Sequence, residues 1–191
     1  MTALPAEEIA EDIVAMADLA AEVLSEGSGE PEVLAEGDGP HLRAWRDWAE
    51  PATVESAPGG FARHSVLEAL DIALGEREPL SGGAFMFVEP TRALVAVDVN
   101  TGKDTSLAAG LKANLACARS LPRSLRTRGL AGQIVLDLAP MAKKERRIFE
   151  STLRAALKAE GDETVMLGWT NLGHFELQRK RSRIPLSEVL S

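Results

Sequence analysis

ALVAVDVN (93–100) and QIVLDLAP (133–140) decide how this chain is read. Each is a short run rich in Val, Ile and Leu, the composition of a buried strand, and each places one carboxylate after the apolar run: Asp98 and Asp137. A carboxylate at the end of a buried strand sits at the rim of a sheet, where a site can be built on a rigid element. If the strands are neighbours, the two carboxylates converge. Unit charges ~4 Å apart repel by roughly 4 kcal/mol at an effective dielectric near 20, so such a pair wants a proton, an arginine or a divalent cation. Oxygen ligands with no His or Cys beside them favour magnesium or manganese over zinc, without ranking the first two. Asn100 lies two residues beyond Asp98, on the same side of an extended strand, and would orient a water or a phosphate oxygen. By spacing alone, two strand-end caps or salt-bridge partners fit as well.

Outward from these runs, the pattern predicts a layered α+β (α/β) domain. Ser81-Gly82-Gly83 leads into GAFMFVEP (83–90), and Pro90-Thr91-Arg92 turns it into 93–100 as an antiparallel pair. A helix is expected at about 107–121, followed by a basic segment with Arg119, Arg123, Arg126 and Arg128. Lys143–Lys158 reads as a basic amphipathic helix with Ile148, Leu153 and Leu157 inside. TVMLGW (164–169) and HFELQRKR (174–181) read as the last strands. On the N-terminal side, 64–75 reads as a helix with Val66, Leu67, Leu70, Ile72 and Leu74, and 51–62, with two prolines and two glycines, as a connector. Residues 6–25 place Ile9, Ile13, Met16, Leu19, Ala20 and Leu24 on one helical face, with Gly27–Gly29 as a stop. A short strand at 32–35 and a helix at 39–50 carrying Leu42, Trp45, Trp48 and Ala49 follow, the two tryptophans reading as core. The division expected is 1–62, acidic and mainly helical; 63–186, the metal-binding domain; and 187–191, a tail.

The 191 residues are 45% hydrophobic and 26% charged, with a net charge of −8. No apolar run reaches the ~18–20 residues of a membrane helix, and the N-terminus lacks the pattern of a secretory signal. A single cysteine, Cys117, excludes an internal disulfide and a paired-cysteine zinc site; lying among Ala and Leu, it reads as core. A soluble, cytoplasmic protein is expected. The charge is segregated: residues 1–64 hold fourteen acids and three arginines, whereas residues 119–183 hold fourteen Lys/Arg and seven acids. A polyanion responds to the local field, so the second half would suit phosphate while the first repels it. His41, His64 and His174 are dispersed, with no nucleophile pattern beside them.

The two strand segments, ALVAVDVNTG (93–102) and GQIVLDLAPM (132–141), resemble the two metal-binding segments of the ribonuclease E/G family. The resemblance extends in order through SVLEALDIAL, the SGG-strand-turn, KANLACARSLPRSLRTRGLAG and LGHFELQRKR, with GPHLRAWRDWA and the first helix similar to the part before them. It implies a DNase I-like subdomain, preceded by a segment resembling part of an RNase H-like subdomain. It further implies a metal-dependent endoribonuclease that cuts single-stranded RNA internally, leaving a 5′-phosphate and a 3′-hydroxyl, in RNA processing or decay. Asp98 and Asp137 stand at the positions that hold Mg2+ (with Mn2+ as the alternative), and Asn100 at the position that helps orient the site. Arg126, Arg128, Lys143, Lys144, Arg146 and Arg147 are the candidates for the RNA backbone, with surface solvation the competing reading.

The sequence also departs from the family pattern. Nothing resembling the family's OB-type RNA-binding domain or 5′-monophosphate sensor precedes it; Thr2-Ala3 resemble only the end of the sensor's RTA motif. The loop after Asn100 is about four residues shorter than usual and lacks an acidic pair. Asn171 or Leu172 stands where an arginine is common, and no cysteine motif is present for the zinc that links family protomers. The expectation is therefore weak, salt-sensitive RNA binding, and any homo-oligomer would form without a zinc link. The competing class is a non-catalytic RNA-binding or assembly module; a small-molecule enzyme with an Asp pair is a distant third.

Overall fold

The computed structural model describes residues 6–25, 37, 39–47, 51–106, 108–161 and 163–190. The chain divides into two compact units, Met1–Glu55 and Ser56–Ser191. In the first, α1 (Ala6–Ser25) and α2 (Pro40–Asp47) are the described elements. Ile9, Ile13, Met16 and Leu24 of α1 are exposed. Trp45 is exposed too, its indole N–H donating to His41 Nε2 at 3.0 Å, so it is not the core residue its helical spacing suggested. Trp48, the 32–35 strand and the 27–29 stop lie outside the described residues.

The second unit is α+β. Six strands, β1 (Arg77–Pro79), β2 (Phe85–Pro90), β3 (Val95–Asn100), β4 (Gly132–Asp137), β5 (Thr164–Trp169) and β6 (Phe175–Arg179), form one mixed sheet in the order β1-β2-β3-β4-β6-β5. The β2–β3 pair is antiparallel, as its short link requires; Thr91 closes the turn by accepting the Leu94 N–H on Oγ1 at 3.1 Å. β3 and β4 are parallel, joined by the long helix α5 (Ala109–Arg128), the kind of crossover that parallel neighbours need. The 51–62 connector ends in a short helical turn, α3 (Gly60–Arg63), which leads to α4 (Val66–Leu74).

Alternation along the strands divides the sheet into a covered and an open face. Met86, Val88, Val95, Val97, Ile134 and Leu136 point to the covered face, where α5 and α6 (Arg146–Glu160) pack through Cys117, Leu121, Leu125, Phe149, Leu153 and Leu157. Phe149 takes the inner position expected of Ile148, which is exposed. Cys117 is fully buried and its pKa is pushed up to about 12, first by burial and then by the charge of Glu78. Its thiol therefore stays neutral and behaves as a small core residue.

α5 runs seven residues beyond its expected end at Leu121 and passes straight through Pro122. An internal proline removes a backbone donor and normally breaks a helix. Here Leu121, Ser124, Leu125 and Arg128 are all buried, and these anchors hold the last turns until Gly129, at φ 66°, ends the helix. The backbone at Ile184 lies directly against Gly129, leaving no room for a Cβ. Residues expected as a tail instead include most of α7 (Leu186–Val189), which packs on α4 and α5.

Candidate metal and nucleic-acid site

The register places Asp98 directly opposite Asp137. Partners on adjacent strands stand about 5 Å apart, and both side chains leave the sheet on its open face, next to buried Val97 and Leu136. They occupy the exposed face near the ends of β3 and β4. Asn100, on the same face, donates its side-chain amide to Asp98 Oδ2 at 2.8 Å. That bond fixes one oxygen of Asp98 and leaves the other available.

Opposite Asp137, on the side away from Asp98, stands a residue that sequence reading had set aside. β4 pairs with β6 with Leu136 opposite Phe175, and one step further the same antiparallel register carries His174 to Asp137. Their closest atoms, His174 Nδ1 and Asp137 Oδ1, are 3.3 Å apart. Thr170 shapes this corner: its N–H donates to the His174 carbonyl at 2.8 Å, and its hydroxyl accepts the His174 N–H at 3.1 Å. The signal for His174 is the pairing of β4 with β6, and that pairing is invisible in local spacing.

The loop from β4 to α6 is clamped onto α5. Asn114, fully buried, donates to the Ala139 carbonyl at 2.8 Å and accepts the Ala139 N–H at 3.0 Å, satisfying its amide as a peptide would. One turn earlier, Gly110 lies against the Pro140 carbonyl so closely that any Cβ would overlap it. Asn114 and Gly110 therefore fix the loop that leaves Asp137. Neither was singled out from the sequence, although a polar amide in an Ala/Leu helix was the available clue.

The basic candidates separate. Arg128 is only 6% exposed, and its guanidinium is spent inside the fold, on Glu78 Oε2 at 2.6 Å, Ser124 and the Ile72 and Gly75 carbonyls. This corrects its reading as an RNA contact: it ties α5 to α4 and β1. Arg126 is half-buried and paired with Glu160. Lys143 and Lys144 are exposed in a single 3-10 turn just after the clamped loop, and Arg147 is exposed at the start of α6. Arg146 lies over the Trp169 ring, 4.0 Å from its centroid, while the Trp169 indole N–H donates to Glu150 at 2.7 Å.

Among the described residues no group of three or more His, Cys, Asp or Glu is arranged to hold a metal ion. Two carboxylates on one open face are nonetheless a donor set that suits Mg2+, which is commonly held by one or two carboxylates and keeps several waters. The all-oxygen chemistry of the pair fits a hard cation of that size.

A helix-backed mixed sheet with an exposed aspartate pair on its open face defines an α+β domain. The chain belongs to the ribonuclease E/G family, whose model matches residues 50–182. It is 32% identical over 140 residues to Ribonuclease G of Haemophilus influenzae, covering 68% of this chain and 28% of that protein. It is also 30% identical over 138 residues to a chloroplastic Ribonuclease E/G-like protein of Arabidopsis thaliana, covering 69% and 14%. With Ribonuclease E of a Nostoc species it shares 35% identity over 114 residues, covering 57% and 17%. The chain thus spans well under a third of the length of these relatives. Among the described residues, no helix is long and apolar enough to cross a membrane.

Proposed function

We propose that this chain carries the hydrolytic site of an endoribonuclease that cleaves single-stranded RNA internally, to 5′-phosphate and 3′-hydroxyl ends. The observation that carries this reading is the register partnership of Asp98 and Asp137 on an exposed sheet face, within a chain of the ribonuclease E/G family. Asp98 and Asp137 would hold Mg2+, or Mn2+ in its place. Such an ion, when bound, polarises a phosphate oxygen and lowers the pKa of a coordinated water.

The chain's own residues do the positioning. Asn100 holds Asp98 in one rotamer through its amide, so the free carboxylate oxygen keeps a fixed direction. His174 Nδ1 stands 3.3 Å from Asp137 Oδ1, while Asn114 and Gly110 hold the loop that follows. Outer partners of this kind orient ligands in metal sites. Lys143, Lys144 and Arg147 supply exposed positive charge for the RNA backbone, and Arg146, stacked on Trp169, supplies a less mobile one. Arg128 is committed to Glu78 inside the fold, and Arg126 is paired with Glu160.

The test is cleavage of a 5′-monophosphorylated, AU-rich single-stranded oligonucleotide, with magnesium and with EDTA, beside Asp98→Asn and Asp137→Asn. Magnesium-dependent cleavage that both substitutions abolish is the expected result. A folded protein that binds the oligonucleotide and never cuts it would instead assign the chain to RNA binding or assembly.

A further inference from the structure

The open face of the sheet carries a second feature beside the aspartates. β2 alternates Phe85-Met86-Phe87-Val88: Met86 and Val88 are buried in the core, whereas Phe85 and Phe87 are half-buried on the opposite face. An aromatic side chain on a strand normally finds its place in the core, and these two do not use it. The register sets Phe87 opposite Asp98 and Phe85 opposite Asn100, one strand spacing away. The two rings meet edge to face, with centroids 5.6 Å apart and planes at 88°. Arg77, on the edge strand β1 and opposite Phe87, places its guanidinium 4.2 Å from the Phe85 ring centroid.

We propose that Phe87 stacks on a nucleobase of single-stranded RNA, with Phe85 perpendicular beside it and capped by Arg77, seating the nucleotide next to the phosphate that lies over Asp98. The inference rests on the function proposed above and adds a base subsite to it. Single strands are gripped by aromatic rings that stack on bases and by cations that follow the backbone; bases stacked on sheet-borne aromatics are a recurring form. Here the ring, the cation and the carboxylate lie on three consecutive strands: Arg77 on β1, Phe85 and Phe87 on β2, and Asp98 on β3. A phosphate at Asp98 leaves its neighbouring base within reach of β2, and Arg77 is placed to meet the next phosphate. Stacking uses the face of a base, which all four bases share, so the platform would tolerate sequence variation. It also selects unpaired RNA, because a base within a duplex already has both faces occupied.

The experiment uses the full chain and a fluorescein-labelled single-stranded RNA decamer carrying 4-thiouridine, in magnesium. Affinity is read by anisotropy, and the photo-cross-linked peptide is located by mass spectrometry. Phe87→Leu keeps the apolar volume and removes the ring, whereas Phe87→Tyr keeps the ring; thermal melting checks that each variant is folded. The expected result is a cross-link at Phe85 or Phe87, binding about tenfold weaker in Phe87→Leu, and near wild-type binding in Phe87→Tyr. RNA bound with full affinity by a folded Phe87→Leu, with cross-links only elsewhere, would overturn the platform and leave the nuclease reading standing. A wild-type chain that fails to bind the decamer would overturn both.

Discussion

The two faces of one sheet are made by the same strands and serve opposite ends. On the covered face, Val97, Ile134, Leu136 and Leu177 are each 0–1% exposed and lock against α5 and α6. On the open face, the neighbouring residues Asp98 and Asp137 remain in solvent, with the Asp137 side chain 68% exposed. Adjacent residues on one strand thus answer to different physics. Leu136 is buried because removing apolar surface from water stabilises the fold, whereas Asp137, on a rigid strand, holds in solvent a charge that contributes little to stability. Chemistry and stability should therefore come apart under substitution.

The largest effect is expected at Asp137. Asp137→Asn should lower cleavage roughly 10³-fold, about 4 kcal/mol in barrier height, while thermal melting stays within about 2 °C of wild type. Parallel kinetics and calorimetry would check both halves; a large loss of stability would mean that the carboxylate is part of the scaffold. Arg128→Ala should do the reverse. It strands Glu78 in a partly buried position, costing about 3 kcal/mol of stability and shifting the melting point by about 10 °C, while folded protein binds RNA as before. Leu136→Ala, one residue from Asp137 and facing the other way, should cost about 3 kcal/mol and leave the rate per folded molecule within a few-fold.

The smallest effect belongs to the loop after Asn100. Asp104 accepts the Ser106 N–H at 2.9 Å and pairs with Lys112 at 3.2 Å. Its carboxyl is held below its ordinary value of 3.8, first by the Ser106 backbone N–H, then by the Ser106 hydroxyl and by Lys112. Because the folded state prefers the ionised form, the contribution to stability is full above that ordinary value. It is lost as the pH falls through the lowered folded value. Melting curves taken between about pH 5 and pH 2 should therefore flatten slightly in Asp104→Asn.

Local pattern in the sequence reached the strands of the sheet except β1, and the antiparallel β2–β3 pair, which depend on apolar runs and a short turn. The pairing of Asp98 with Asp137 stayed conditional on β3 and β4 being neighbours, because a 20-residue helix separates them in the chain. The split into a covered and an open face was less legible, because either side of an alternating strand can be buried until the helices are placed. Arg128 was misread for a similar reason. The helix was expected to end near Leu121 with a basic segment after it, yet buried Leu121, Leu125 and Arg128 carry α5 on through Pro122 and turn the guanidinium inward. His174 was read only as one of three dispersed histidines, because it reaches Asp137 only through the β4–β6 register, between residues far apart in the chain. Arg77, Phe85 and Phe87 fall into line only once the edge strand β1, which no pattern announced, is in place.

If Asp98 and Asp137 act as one cation site on the open face, removing either carboxylate must weaken cation binding. Mn2+ binding, followed by electron paramagnetic resonance as loss of the free-ion signal, tests it most directly in the full chain, Asp98→Asn and Asp137→Asn. One ion should bind per wild-type chain, with comparable loss of binding in each variant and folding unchanged. A variant that loses one carboxylate and still binds Mn2+ as tightly as wild type would contradict it.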